Sequence, residues 1–356
     1  MNNNLLKCLF VLILTWISGS VLPAKTDEVE DKLYVSDFDP GTIGDFSDSV
    51  STVQRFDAKT GASLNPYVTA NSGGLHLPHG VIFNTLGKLL VVNQNVNLPI
   101  NGEVLRYRGD TGAFLDALIP DAQLAPDGII LHDDTTVFVA DVGDFNFDTG
   151  VEVPGHLSQY DAKTGQLLRN LIPTGLPEEF HPRGLVVGPD GLLYVSVRKL
   201  PALDGGHILR FNPESGVYLG RFIDSTATND LNRPDGLTFG PDRRLYVTSF
   251  RLNALDNDKI LIFNGTTGAY IDKIDLDQVR QPRAFAQSLL FGPRGRLFVP
   301  IAGNDTDTGQ VRRYDVRTKQ YSVFIPSLAS GGPLKGPQYL TFGKTDPETL
   351  RYGHED

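Results

Sequence analysis

Apolar and polar residues alternate in short runs along most of this chain, and no stretch holds a 3.6-residue apolar period long enough for an extended helix. Alternation with a period of two puts successive side chains on opposite faces of a strand. One stretch shows the pattern clearly. It predicts four strands, here a to d, over Gly236–Phe239, Arg244–Ser249, Lys259–Phe263 and Ala269–Ile274. An aromatic recurs at one place in strand b of several such stretches, as Tyr34, Phe138, Tyr194, Tyr246 and Phe298.

The four-strand unit repeats. The turn between strands c and d reads Asp57-Ala-Lys-Thr-Gly61, and it returns ending on Gly112, Gly165, Gly216 and Gly268, with Lys319 in the sixth copy. Successive copies lie 51 to 53 residues apart. An opening Asp or Asn bonds the backbone two residues on, and a closing Gly accepts positive φ. A second motif, Pro-x-Gly, opens strand a at Pro78-His79-Gly80, Pro126-Asp127-Gly128, Pro182-Arg183-Gly184 and Pro234-Asp235-Gly236. Altered copies follow at Ala286-Gln287-Ser288 and Pro337-Gln338-Tyr339. Four-stranded units at this period are propeller blades.

The ends supply the blade count. The first repeat begins at a strand b, Lys32–Asp37, and the last strand is an a, Gln338–Phe342. Pairing these two gives an all-β, six-bladed propeller whose first blade is closed by the C-terminal strand, with no open sheet edge.

Residues 1–24 stand apart: Lys7 precedes an apolar run from Leu9 to Ile17, then small residues. This is the layout of a signal peptide and is shorter than a membrane span. It predicts a secreted or periplasmic protein with one propeller domain over 25–356. The single cysteine, Cys8, lies in the leader, so the mature chain forms no disulfide. The net charge of −10, without a Lys/Arg cluster, argues against nucleic acid as a partner. A monomer binding a small molecule at the central channel is expected.

The run Pro234-Asp-Gly-Leu-Thr-Phe-Gly-Pro-Asp242, with Leu245-Tyr-Val-Thr-Ser249, resembles NHL-repeat and streptogramin-lyase-like six-bladed propellers. The pattern is also similar to that of SMP-30 gluconolactonase-type propellers. The resemblance spans nearly the whole mature chain. It bears on the fold more than on the activity, because one fold hosts many functions.

Loops b–c and d–a share one face and are long, so the ligand site is expected there. The middle residue of Pro-x-Gly enters the innermost strand beside the channel. Around the ring these residues are His79, Asp127, Arg183, Asp235, Gln287 and Gln338, all polar. They either converge on a polar site or form a salt-bridged plug of Arg183 with Asp127 and Asp235. In gluconolactonase-type propellers this register holds metal ligands. The resemblance therefore implies one divalent cation (calcium, magnesium or zinc) on Asp127 and Asp235, although Arg183 between them opposes it. His181 and Arg233, each just before a proline, are expected with Gln287 and Gln338 to contact ligand. The loop acids Asp141, Asp144 and Asp148, and Asp305 and Asp307, read as solvated charge rather than as a calcium loop.

Two functions fit. One is a lactone or ester hydrolase, or a lyase, with His79 as general base or acid and Arg183 or the metal stabilising developing negative charge. The other is a non-catalytic ligand- or protein-binding propeller of the cell envelope or extracellular space.

Overall fold

The computed structural model describes residues 31–39, 50–95, 98–122, 124–146, 151–176, 180–200, 204–303 and 307–353. The expected leader, Asp148 and Asp305 lie outside them. Six four-stranded antiparallel sheets follow one another along the chain, and the described residues include no α-helix. Blade 5 has strands Leu237–Phe239, Arg244–Ser249, Lys259–Asn264 and Tyr270–Asp275, within a residue of the positions the alternation predicts.

Blade 1 is assembled from both ends of the domain. Strand b, Lys32–Asp39, pairs on one side with Val50–Asp57 and on the other with the C-terminal strand, Pro337–Phe342. The closure read from the repeat is therefore present, with Val35 opposite Leu340 and Asp37 opposite Pro337.

The recurring aromatic of strand b packs across blade interfaces. Tyr34 meets Phe83, Tyr194 meets Phe239, Tyr246 meets Phe291 and Phe298 meets Phe342, each edge-on with ring centroids 4.8 to 5.1 Å apart. Edge-to-face pairs of this kind stabilise by about 1 kcal/mol beyond their buried area. The Phe298–Phe342 pair lies across the interface between blade 6 and the closing strand.

The c–d turns form as their composition requires. The Asp57 carboxylate accepts from the backbone N–H groups of Lys59 and Thr60 at 3.1 and 2.7 Å, and Gly61 takes φ 76°. In the sixth copy Lys319 adopts the same left-handed conformation, φ 60°, and still donates its N–H to the Asp315 carbonyl at 2.7 Å.

Four copies of the Pro-x-Gly register break the ladder. In blades 1 to 4 the pairing of strands a and b slips by one residue between the proline and the third residue after it. Such a bulge re-aims a side chain, and here it falls at the ring residue. The glycine that follows is required by close approach. A Cβ on Gly128 would stand 2.3 Å from the Arg183 carbonyl, and one on Gly184 would stand 2.5 Å from that of Asp235.

A polar residue near the end of strand b holds the d–a loop that leads into the ring. Asp37 accepts from the Gly336 N–H at 2.9 Å, Asn93 from His76 at 2.6 Å, Asp141 from Ala125 at 2.8 Å and Ser249 from Asn232 at 2.9 Å. Asp141 is buried in this role, which corrects its reading as solvated charge. The carboxylate leaves water because the loop's N–H groups satisfy it.

The tail after the closing strand caps the face opposite the long loops. Thr345 bridges to Tyr352, and between them Leu350 packs against the hydrophobic clusters of several blades. Leu350 also lines the apolar lower channel, with Val81, Ile129, Leu185, Leu237 and Leu289. Backbone bonds from Leu131 to the Pro347 carbonyl (2.9 Å) and from Val187 to that of Glu348 (3.1 Å) tie the tail to blades 3 and 4.

Candidate functional site

The ring residues come together above this apolar channel. Asp127 and Asp235 are fully buried. The Asp127 carboxylate meets three groups: His79 Nδ1 lies 3.1 Å from Oδ1, Arg183 Nη1 donates to Oδ2 at 2.6 Å, and the Tyr339 hydroxyl donates to Oδ1 at 2.7 Å. Asp235 pairs with the Arg198 guanidinium, and its Oδ1 lies 3.5 Å from the same Tyr339 hydroxyl. Tyr339 thus reaches between the two acids and lies beside the His79 ring, centroids 5.9 Å apart.

The two acids are held differently. Burial alone would raise the pKa of Asp127, but the His79 ring and the Arg183 guanidinium outweigh it and keep this carboxyl well below the usual range. Asp235 is pushed up to about 6, because burial and the negative charge of Asp127 outweigh Arg198 and Arg183. Burial, with Arg183 nearby, pulls Arg198 down to about 10, and it remains a cation at neutral pH. Burial, then the two carboxylates, raises the Tyr339 hydroxyl well above its ordinary value, so it stays protonated and donates.

The remaining expected site residues divide. Gln287 donates to the Gln338 side-chain carbonyl, and the Gln338 amide donates to the Gly336 carbonyl at 3.0 Å, so these two form a buried amide pair. His181 is fully buried, with Nδ1 2.6 Å from the Val142 carbonyl. Buried there, the ring supports the loop after strand b of blade 3. Arg233 is half-buried and donates to the Arg251 carbonyl, with its guanidinium carbon 5.9 Å from the centroid of the Phe250 ring.

Four participants were absent from the expected set. Tyr339 stands where the other copies of Pro-x-Gly have Gly or Ser, and its signal was that substitution. Arg198 closes strand b of blade 4, Leu193–Arg198. Phe250 and Arg283 belong to blades 5 and 6. Arg198 and Arg283 lie with their guanidinium carbons 4.9 and 5.1 Å from the Phe250 centroid.

A hard divalent cation takes oxygen ligands in an electronegative cage. Here Asp127 and Asp235 each face a guanidinium, so this donor set does not fit the implied metal. A different group with metal-ligand chemistry lies at the lower face, where atoms of His132, Asp133 and Glu214 fall within 4.8 Å of one another. Its two His132 nitrogens are engaged by Glu348 at 2.7 Å and Glu214 at 3.2 Å, which ties the tail to blade 4.

No protein-family model and no curated protein matches the chain. Solved structures do. The periplasmic gluconolactonase of Pseudomonas aeruginosa is 20% identical, with a TM-score of 0.54 over 82% of this chain and 81% of that one. A Bacteroides caccae protein of unknown function is 13% identical, TM-score 0.52, over 80% and 90%. A virginiamycin B lyase of Staphylococcus aureus is 14% identical, TM-score 0.49, over 85% and 86%. At these identities the likeness concerns the fold: this chain is a six-bladed β-propeller with a gluconolactonase propeller among its structural neighbours. Among the described residues no helix is long and apolar enough to cross a membrane.

Proposed function

We propose that the protein is an exported hydrolase of small lactones or esters, acting at the mouth of the channel on the long-loop face. One observation carries the reading: a buried carboxylate, kept ionised, holds His79 by Nδ1 at 3.1 Å. With the Nδ1 proton donated to Asp127, Nε2 is the basic nitrogen, which is how a carboxylate fixes the tautomer of a general base. In the proposed step His79 Nε2 takes a proton from water as the water oxygen bonds to the carbonyl carbon. The carbonyl oxygen gains negative charge, which the Arg183 and Arg198 guanidiniums stabilise. The tetrahedral intermediate then expels the ring or ester oxygen, which takes the proton from His79. The product is a hydroxy acid, or an acid and an alcohol. No metal enters the step. Export rests on the leader-like residues 1–24, in keeping with a periplasmic neighbour.

A second reading, a ligand-binding propeller without chemistry, is favoured by the pairing of Asp127 with Arg183, Asp235 with Arg198 and Gln287 with Gln338. Turnover separates the two. Purified protein is assayed on a panel of aliphatic and sugar lactones and short esters, beside His79→Gln. The hydrolase reading expects turnover on at least one member and a loss of 100-fold or more in His79→Gln. Turnover unchanged in that variant, or none on any member, overturns it.

A further inference from the structure

We infer that the mouth of the channel at blades 4 to 6 recognises a carboxylate on its small-molecule ligand, through Arg233 and Arg283 seated on Phe250. The inference rests on reading this face as the ligand-binding end, and it names the chemical class of that ligand.

Three guanidiniums crowd one aromatic ring. The guanidinium carbons of Arg198, Arg233 and Arg283 lie 4.9, 5.9 and 5.1 Å from the centroid of Phe250. Phe285 stacks on Phe250 at 5.0 Å, with 13° between the planes, and Arg283 also lies 4.9 Å from the Phe285 centroid. Phe250 is buried, so the arginines and Phe285 cover it. Cations stack on a ring face because of its quadrupole, but three near one ring also repel one another.

The charges do not cancel. Arg183 is paired with Asp127, Arg198 with Asp235 and Arg283 with Asp258, the last through two bonds of 2.8 and 3.2 Å. Among the described residues Arg233 has no carboxylate within ion-pair distance, and its bond goes to the neutral Arg251 carbonyl. Four guanidiniums thus face three carboxylates. Arg283 stands close to Arg233 on the same ring, and the two like charges repel. Among the described residues the buried Nε atoms of Arg183, Arg198 and Arg233 also find no acceptor.

A bound anion relieves all of this. A planar carboxylate suits the fork of a guanidinium. One negative charge matches the surplus of one, which favours a monocarboxylate over a phosphate dianion. Arg233 is held by its position: it precedes Pro234 with φ 42°, and its N–H is fixed by the Gly205 carbonyl at 2.8 Å. The guanidinium therefore sits on a rigid corner.

The test is calorimetric binding of matched pairs, gluconate against gluconamide and benzoate against benzamide, with inorganic phosphate as a third probe. Wild-type protein is expected to bind the better carboxylate at least 10-fold more tightly than its amide, and the preference should fall as salt rises. Arg233→Gln should bring acid and amide to parity without lowering the melting temperature, while Arg233→Lys keeps part of the preference. Equal binding of acid and amide by the wild type overturns the inference, as does a preference that survives Arg233→Gln. Phosphate binding more tightly than both acids overturns the carboxylate assignment. If Arg233→Gln does not fold, the wild-type comparison and its salt dependence decide. None of these readouts needs turnover, so a failed hydrolase reading leaves this result standing.

Discussion

Arg183 of blade 4 donates its Nη1 to Asp127 of blade 3 at 2.6 Å, tying two neighbouring innermost strands across the channel. The carboxylate is fully buried and the arginine side chain is 15% exposed. Removing the arginine leaves Asp127 with His79 and Tyr339 but without its permanent cation. Breaking one side of a buried pair destabilises by about 3–5 kcal/mol. Arg183→Ala should fall near the lower end, because two partners remain. Urea unfolding measures it, and a loss under about 1 kcal/mol would show that water or a mobile side chain replaces the guanidinium.

The closing strand and the tail make separate contributions. Deleting residues from Pro337 onward removes strand a of blade 1 and exposes the edge of Lys32–Asp39, so the whole domain should unfold at a lower temperature. Ending the chain at Gly343 keeps the closure and removes only the cap. Leu350→Ala, which withdraws a partly buried side chain from the lower channel, should cost about 2 kcal/mol. A full-length melting temperature in the Pro337 truncation would exclude closure by that strand in solution.

The architecture could be read early because the repeat makes each blade a copy of its neighbours. The regular spacing of Gly61, Gly112, Gly165, Gly216 and Gly268, with the unmatched ends, forces the count and the closure. The site was legible only in part. Its ring register follows from Pro-x-Gly, and Asp127 and Arg183 meet as a salt bridge. Tyr339 was not foreseen, because a glycine replaced by tyrosine reads as decay of the motif until the bulge aims the phenol between two acids. Arg198 and Phe250 sit at or just after the end of strand b, where periodicity does not say whether a side chain turns to the channel. Leu350 belongs to no repeat, and its contacts depend on the ring being closed first.

Asp37 gives the pH dependence a definite sign. Burial raises its carboxyl to about 7, against the N–H groups of Lys335 and Gly336 that favour the charged form. A carboxyl raised in the folded state stabilises below its unfolded pKa, near 4, and that contribution is lost as pH rises through about 7. Asp37→Asn keeps an oxygen to accept from Gly336 and carries no charge. It should match the wild type at pH 4 and exceed it by on the order of 4 kcal/mol at pH 8. Urea midpoints at pH 4, 6 and 8 read the difference, and a constant gap across the three would refute the assignment.

Cation binding tests the charge pattern of the ring. The resemblance to gluconolactonase-type propellers implies a metal on Asp127 and Asp235, yet each carboxylate faces an arginine. To enter, a divalent ion would have to displace Arg183 or Arg198 from a buried carboxylate and then stand beside the displaced guanidinium. The Coulomb repulsion is severe where water is excluded. Adding calcium, magnesium or zinc at millimolar concentration should therefore leave the melting temperature unchanged, and dialysis against a chelator should not lower it. The measurement is sensitive, because a ligand at 100 times its Kd stabilises the folded state by about 2.7 kcal/mol. Among the described residues one other group could hold zinc, His132 with Asp133 and Glu214 at the lower face. His132→Ala separates the two locations: a zinc-induced shift that disappears in this variant belongs to the lower face. A shift that persists there and is lost in Asp127→Asn would place the ion in the ring and overturn the salt-bridged account of it.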